Sequence, residues 1–278
     1  MTTDSTPTQN TDFELFFKML EGHTGIAMGN EKEYLLAPRL SSIAQKNGFT
    51  DHVSLIKELV SKPICPLHWV TFEAMATHET MFFRDTHPFQ AIKDVLLPQL
   101  IHAKRDSNQL SIWCAAASTG QEPYSMAMLL RESFPNLSDW DVKIHATDLS
   151  ERALSQARSG IYSRSEMQRG LTQEQISRHF TRLESGHYQV NSDLRKMIQF
   201  ENINLIKPWK VSPKSDLILM RNILIYFNQE KKQMVLSKMR DQLSDAGGYL
   251  MLGASESILF DASFKLHRLE RVSYYSKA

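Results

Sequence analysis

From Phe13 to Met75, apolar residues recur at three- and four-residue intervals, the spacing of one helix face. Phe13, Phe16, Phe17 and Leu20 form the first such stripe, with Asp12 as N-cap candidate and Gly22 and Gly25 as the break. Residues 31–48 carry a second amphipathic pattern that closes on Gly48, a C-cap residue type. Residues 50–62 begin with another N-cap signal, and residues 66–77 start on a proline, whose fixed φ suits a first helical turn. These patterns predict a small helical bundle, with a domain division near residue 85.

After residue 110 the period changes. Apolar strand-like runs, LSIWCAA, DVKIHATD, MIQFENIN, SDLILMRN, GGYLMLGAS and HRLERVSYYSK, are mostly separated by helical stretches such as EPYSMAMLLRESF, SERALSQARSG and QEKKQMVLSKMRDQL. Alternating strands and helices predict a mostly parallel, doubly wound sheet. The connection ESILFDASFKL is too short and irregular for a crossover helix, so the last two runs are expected to pair antiparallel. Sheets of this kind bind ligands beyond the carboxyl ends of their strands, where the strand order reverses.

Composition narrows the function classes only a little. The 278 residues carry a formal net charge of +1, so any preference for a charged partner must be local. Cys65 and Cys114 are the only cysteines, which gives neither a disulfide framework nor metal-ligand spacing. No apolar run reaches the roughly 18 residues of a membrane span, and the polar start MTTDSTPTQN lacks the regions of a signal peptide. The expectation is a cytoplasmic protein with a disordered tail over residues 1–10, no nucleic-acid partner and no membrane insertion.

The chemistry begins in SIWCAAASTGQEPYS, residues 111–125. Ala115, Ala116, Ala117, Ser118, Thr119 and Gly120 form a loop of small residues after the first strand of the sheet, where a ligand can approach the backbone. The glycine fingerprint G-x-G-x-x-G of dinucleotide sites is missing, which counts against a nicotinamide-dependent dehydrogenase. Glu122 stands where a phosphate would sit: it repels phosphate and attracts a cation, or it merely caps the helix that Pro123 initiates. Asp148 ends the next strand, with Ser150 available as the N-cap behind it; an acid there takes the ribose hydroxyls of an adenosine.

The segments ATHETMFFRDTHPF, SIWCAAASTGQEPYSMAM, HATDLSERALSQARSGIYS, ENINL and LILMRNILIYFNQE, with LSDAGGYLMLGASES after it, resemble the successive signatures of the CheR family of chemotaxis receptor methyltransferases. The resemblance runs over roughly residues 12–275. It implies an α/β fold: a doubly wound, Rossmann-like sheet of the S-adenosylmethionine-dependent methyltransferase type, an N-terminal all-α helical domain and a small inserted antiparallel β-subdomain. The expected bounds are 1–10 for the tail, 11–85 for the helical domain, 86–278 for the methyltransferase domain and about 178–200 for the β-subdomain. The implied activity is transfer of the methyl group of S-adenosylmethionine to glutamate side chains of chemoreceptors, giving glutamyl methyl esters and S-adenosylhomocysteine, with no metal. A non-catalytic adaptor of the same fold, binding the same cofactor, is the alternative.

Carried over by position, the resemblance implies that Thr80 and Arg84 reach over the cofactor, Arg84 taking the methionine carboxylate. Glu122 faces the methionine amino and sulfonium region, Asp148 holds the ribose, and Asn204 and Leu205 border the adenine. Arg221 and Asn222 close the methionine end, and Tyr226 lies beside the departing methyl, so that Tyr226 and Arg84 are the catalytic candidates. Plainer roles stay open for two of them: Arg84 paired with Glu79 or Asp85, and Tyr226 a half-buried core aromatic. His78 replaces the family's asparagine in Thr-His-Glu-Thr, a change that bears on cofactor contact. The partner implied is the cytoplasmic helical bundle of methyl-accepting receptors, met at receptor arrays, with a basic helix face (Lys32, Arg39, Lys46) as docking candidate or plain solvated surface. Ser185-Gly186 reads as a turn between short strands, compact enough to suggest an enzyme independent of a receptor pentapeptide; the expected state is a monomer.

Overall fold

A computed structural model describes residues 7–278, which form two compact units, one running up to Thr77 and including Tyr226–Lys232, the other His78–Ile225 with Gln233–Ala278. The tail expected over residues 1–10 lies outside the described residues up to residue 6, and helix α1 begins at Pro7.

The smaller unit holds α1 (Pro7–Thr24), a 3₁₀ turn Asn30–Leu35, α2 (Leu36–Lys46), α3 (His52–Val60) and α4 (Pro66–Met75). Helix α1 starts earlier than its apolar stripe suggests, so Asp12 lies inside it instead of capping it. Gly22 is likewise helical, and the break falls at Gly25, whose φ of 83° only glycine adopts easily. Asp51 caps α3 by a reciprocal pair of bonds with Ser54, as its sequence signal implies. Phe13, Phe16, Phe17 and Leu20 meet Leu36, Leu40, Leu55, Phe72 and Met75 in a core of this unit's own. Arg39 belongs to that architecture: its guanidinium donates to the Met75 and Ala76 carbonyls and to the Thr77 hydroxyl, tying down the end of α4. One third of the expected basic docking face is therefore a structural clamp.

The larger unit opens with α5 (Thr86–Ala91), a π-helical turn Ile92–Leu96 and α6 (Leu97–Lys104). Then follow β1 (Gln109–Ala115), α7 (Gln121–Ser133), β2 (Asp141–Asp148), α8 (Glu151–Ser159), β3 (Ile161–Tyr162), α9 (Arg164–Met167), α10 (Gln173–His179), β4 (Phe180–Arg182), β5 (Tyr188–Val190), α11 (Ser192–Arg195) and β6 (Ile198–Asn202). The chain continues through β7 (Leu217–Met220), a 3₁₀ turn Leu224–Tyr226, α12 (Gln229–Gln242), β8 (Tyr249–Leu252), β9 (Phe264–Leu269) and β10 (Val272–Lys277). The main sheet has seven strands in the order β6-β2-β1-β7-β8-β10-β9, with β6 to β8 parallel and β10 antiparallel to both β8 and β9. The predicted antiparallel end is present, but the run HRLERVSYYSK spans a hairpin: it holds the end of β9, a turn at Glu270 (φ 46°) that no glycine announces, and β10.

The central strands are buried on both faces, which is why β7 reads as an unbroken apolar run and β1 as one interrupted only at Ser111 after its exposed first residue. Trp113, Ile112, Leu217 and Leu219 are fully buried among them. Strands β3, β5 and β4 form a separate three-stranded antiparallel sheet. Its turn is closed by the Leu183 N–H donating to the His187 carbonyl (2.8 Å), with Gly186 at φ 82°. The sheet begins with Ile161, upstream of the expected 178–200, because a two-residue strand leaves no periodic trace.

Candidate functional site

Sheet order reverses between β1 and β7, since β2 lies on one side of β1 and the later strands on the other. The loop after β1 there departs from ordinary backbone: Ala116, Ser118 and Gly120 all have positive φ (65°, 52° and 97°). Two of these carry side chains in a region that costs them about 1 kcal/mol or more, so the surrounding structure must hold them there. It does so through Asp148 at the end of β2. The Ser118 N–H donates to Asp148 Oδ2 (2.8 Å) and the Ser150 N–H to Oδ1 (2.9 Å), while the Ala117 N–H donates to the Thr147 carbonyl (2.8 Å). Ser150 caps α8 by accepting from the Ala153 N–H (3.1 Å), so Asp148 is spared that task. Asp148 is thus a buried acid that shapes the loop as well as facing the strand ends, a double role its position in the sequence does not betray.

Gly120 is required twice over. A Cβ added there would stand 2.8 Å from the Ala157 Cβ and 3.0 Å from the Tyr162 hydroxyl, on a backbone that is already left-handed. That hydroxyl donates to the Thr119 carbonyl (2.7 Å), which fixes the loop against α8 and the small sheet. Ser118 Oγ donates to the His78 carbonyl (3.1 Å), so His78 contributes its backbone to the loop's support.

Arg221, just past β7, is the electrostatic centre. Its side chain is 2% exposed. Nη1 donates to Glu122 Oε2 (2.8 Å), and Nη2 donates to the Arg84 carbonyl (2.8 Å) and to Asp85 Oδ2 (2.9 Å). Its Nε is buried and has no hydrogen-bond partner. Glu122 sits in the first turn of α7, yet its bond goes to Arg221, and the N-cap Gly120 makes no side-chain bond. Burial pushes the Glu122 carboxyl above its usual range, and the Arg221 charge opposes that rise. Arg84 donates to the Glu79 carbonyl (2.8 Å), while the two neighbouring carboxylates look elsewhere, Asp85 to Arg221 and Glu79 to Arg169 (3.4 Å). The simple ion pair open to Arg84 in the sequence therefore does not form, and Arg84 belongs to the larger unit.

Several supporting residues carry no sequence signal. Phe83 (φ 47°) and Asp85 (φ 58°) bracket Arg84 in left-handed conformations. Phe82 is buried edge-on against Tyr162 and Phe180, and the Phe83 N–H donates to Ser125 Oγ (2.9 Å). Asn222 (φ 59°) is held by Glu256, whose Oε2 accepts from the N–H groups of Asn222 and Gly253 (2.8 Å each). Asn204 turns the chain after β6 by accepting from the Ile206 N–H (3.1 Å), and Leu205 is buried beside it. Thr80 is half-buried. Tyr226 ends the turn after Asn222, is half-buried and counts with the smaller unit, where its carbonyl accepts from the Ala27 N–H (2.8 Å).

The segments that build this site lie within matches to a known sequence family. Residues 78–272 match the family description "CheR methyltransferase, SAM binding domain", and residues 11–72 match "CheR methyltransferase, all-alpha domain". The chain belongs to the CheR methyltransferase family. It is 38% identical over 252 residues to Chemotaxis protein methyltransferase 1 of Pseudomonas aeruginosa, covering 90% of this chain and 91% of that one. It is 38% identical over 250 residues to the Chemotaxis protein methyltransferase of Vibrio parahaemolyticus, covering 89% of each, and 32% identical over 251 residues to that of Escherichia coli, covering 88% and 84%. The larger unit is thus the S-adenosylmethionine-binding domain of a methyltransferase. Among the described residues no helix is long and apolar enough to cross a membrane, and no group of three or more His, Cys, Asp or Glu is placed to hold a metal ion.

Proposed function

We propose that this methyltransferase transfers the methyl group of S-adenosylmethionine to glutamate side-chain carboxylates of chemoreceptors, leaving glutamyl methyl esters and S-adenosylhomocysteine. The observation that carries the reading is the convergence of Glu122, Arg221 and Asp148 on the strand ends at the switch point of a domain with this family's sequence. The residues suit the cofactor: an orphaned guanidinium Nε, a glycine whose added Cβ would crowd Ala157 and Tyr162, and small side chains beside a buried acid.

In this reading Asp148 takes the ribose hydroxyls, its carboxylate being an acceptor at both oxygens. Asn204 and Leu205 border the adenine. Glu122, His78 and Thr80 line the methionine portion, Arg221 and Asn222 close its end, and Arg84 takes its carboxylate in the forked geometry a guanidinium favours. Bound S-adenosylmethionine supplies an electrophilic methyl on a cationic sulfur. The protein's own task is alignment and exclusion of water. A glutamate carboxylate, with an ordinary pKa of about 4.3, is already a nucleophile at neutral pH and needs no base. Tyr226 orients that carboxylate by donating a hydrogen bond, a positioning role without proton transfer.

The substrate in this reading is the cytoplasmic helical bundle of a receptor, met by a monomeric enzyme. The turn between β4 and β5 is compact, which supports docking without a receptor pentapeptide. The relatives above carry the name methyltransferase, and no observation favours the adaptor alternative. The test is transfer of a labelled methyl to receptor-bearing membranes: label released by mild alkali is expected, and alkali-stable label or none would refute the reading.

A further inference from the structure

Beyond the cofactor cluster, the larger unit has a groove of about 260 Å³ between the segment that follows β8 and the β9–β10 hairpin. It shares Asp85, Gly253 and Glu256 with the supports of Arg221 and Asn222, so it opens beside the site described above. Its charges are unbalanced. Asp85 is engaged by Arg221, and Glu256 by the N–H groups of Asn222 and Gly253. The facing cations are not so engaged: Arg268 and Arg271 are exposed, and among the described residues neither has a carboxylate partner. Arg271 Nη1 lies 3.3 Å from His87 Nε2, a contact that supplies no negative charge to offset the guanidinium. The loop that rims the groove also exposes Leu259 (68%) and Phe260 (46%), large apolar side chains of a kind that surfaces seldom leave together without a partner.

We propose that this groove docks the protein substrate itself, receiving acidic and apolar side chains of the helical segment that flanks the methyl-accepting glutamate. Charge complementarity selects the occupant: two guanidinium groups without a carboxylate partner among the described residues, beside an apolar rim, fit a carboxylate-rich amphipathic helix. The volume is too small for a whole helix and suits side chains projecting from one. The inference rests on the glutamate-methylating reading above and adds to it where the substrate is gripped.

The test uses the full chain with two variants, Arg268→Glu/Arg271→Glu and Leu259→Ser/Phe260→Ser, and receptor-bearing membranes as substrate. Each variant is expected to raise KM for receptor about tenfold or more, with kcat at saturation and S-adenosylhomocysteine affinity within about twofold of wild type. The charge variant should also lose most of the salt dependence of KM. An unchanged KM with an active wild type overturns the docking site alone. A parallel loss of S-adenosylhomocysteine affinity overturns it too, by making the groove part of the cofactor site. A wild-type dimer in sedimentation that the variants abolish, with KM unmoved, assigns the groove to self-association instead. A wild type that methylates no glutamate overturns both readings.

Discussion

Replacing Arg221 by methionine keeps the aliphatic stem and removes the guanidinium on which three segments converge. The largest loss falls on Glu122, whose side chain is 12% exposed and would be left as an unpaired buried carboxylate, at a cost of about 3–5 kcal/mol. The Arg84 carbonyl loses a hydrogen bond worth about 1 kcal/mol. The Asp85 arm, with its carboxylate 40% exposed, adds at most a few tenths after solvent screening. For a unit of this size about 4 kcal/mol lowers the melting temperature by roughly 8–16 °C. The pH dependence gives the sharper signature. Burial holds the Glu122 carboxyl above its unfolded value, and losing the opposing Arg221 charge raises it further. A carboxyl raised in the folded state binds its proton more tightly there, so stability falls as pH rises through the folded pKa and is restored below the unfolded value of about 4.3. The defect of Arg221→Met should therefore be greatest at neutral pH and shrink on acidification, and adding Glu122→Gln should recover a large part of it. Urea titrations of the wild type, Arg221→Met and the double variant from pH 5 to 8 measure this. A defect below about 1 kcal/mol, or one indifferent to pH and to Glu122→Gln, would refute the assignment of Arg221 as the partner of a buried charge.

Asp148→Ala should weaken S-adenosylhomocysteine binding by about 1.5–3 kcal/mol in calorimetry, and should also destabilise the fold, because Ser118 and Ser150 lose the acceptor for their N–H groups; unchanged affinity would leave Asp148 with the loop alone. Gly120→Ala should lower both melting temperature and cofactor affinity, since its Cβ meets Ala157 at 2.8 Å; a silent substitution would mean the loop is soft. Tyr226→Phe should reduce kcat far more than cofactor affinity, and normal turnover would remove Tyr226 from the catalytic role. Arg84→Lys should weaken S-adenosylhomocysteine while sparing adenosine, because only the former has a carboxylate for the fork; equal loss of both would make Arg84 structural.

The legible parts of this molecule are those where one local pattern carries the physics. Parallel strands buried on both faces must be largely apolar, so β7, β8 and most of β1 show plainly, and the loop of alanines and Gly120 shows because only small residues tolerate that backbone. What stayed hidden depends on partners far apart in the chain. Glu122 reads as a helix-start acid until Arg221, 99 residues on, is found beside it. Asp85 looks like the neighbour of Arg84, and Glu256 like one more polar residue in a surface loop, although they hold Arg221 and Asn222. Arg39 reads as a solvated or docking cation, yet it closes the end of α4. Short elements fail for another reason: β3 has two residues, and α5 with its π turn was not separated from the boundary region.

The central claim is that this site places the methyl of S-adenosylmethionine on a glutamate oxygen of a receptor. Mass spectrometry of receptor peptides after incubation with enzyme and methyl-labelled cofactor tests it most directly. The account predicts label on glutamate side chains alone, lost as methanol in mild alkali, reduced with Asp148→Ala at cofactor concentrations that just saturate the wild type, and strongly reduced with Tyr226→Phe. Label on lysine, cysteine or a backbone amine, or glutamate label undiminished by both substitutions, would contradict it.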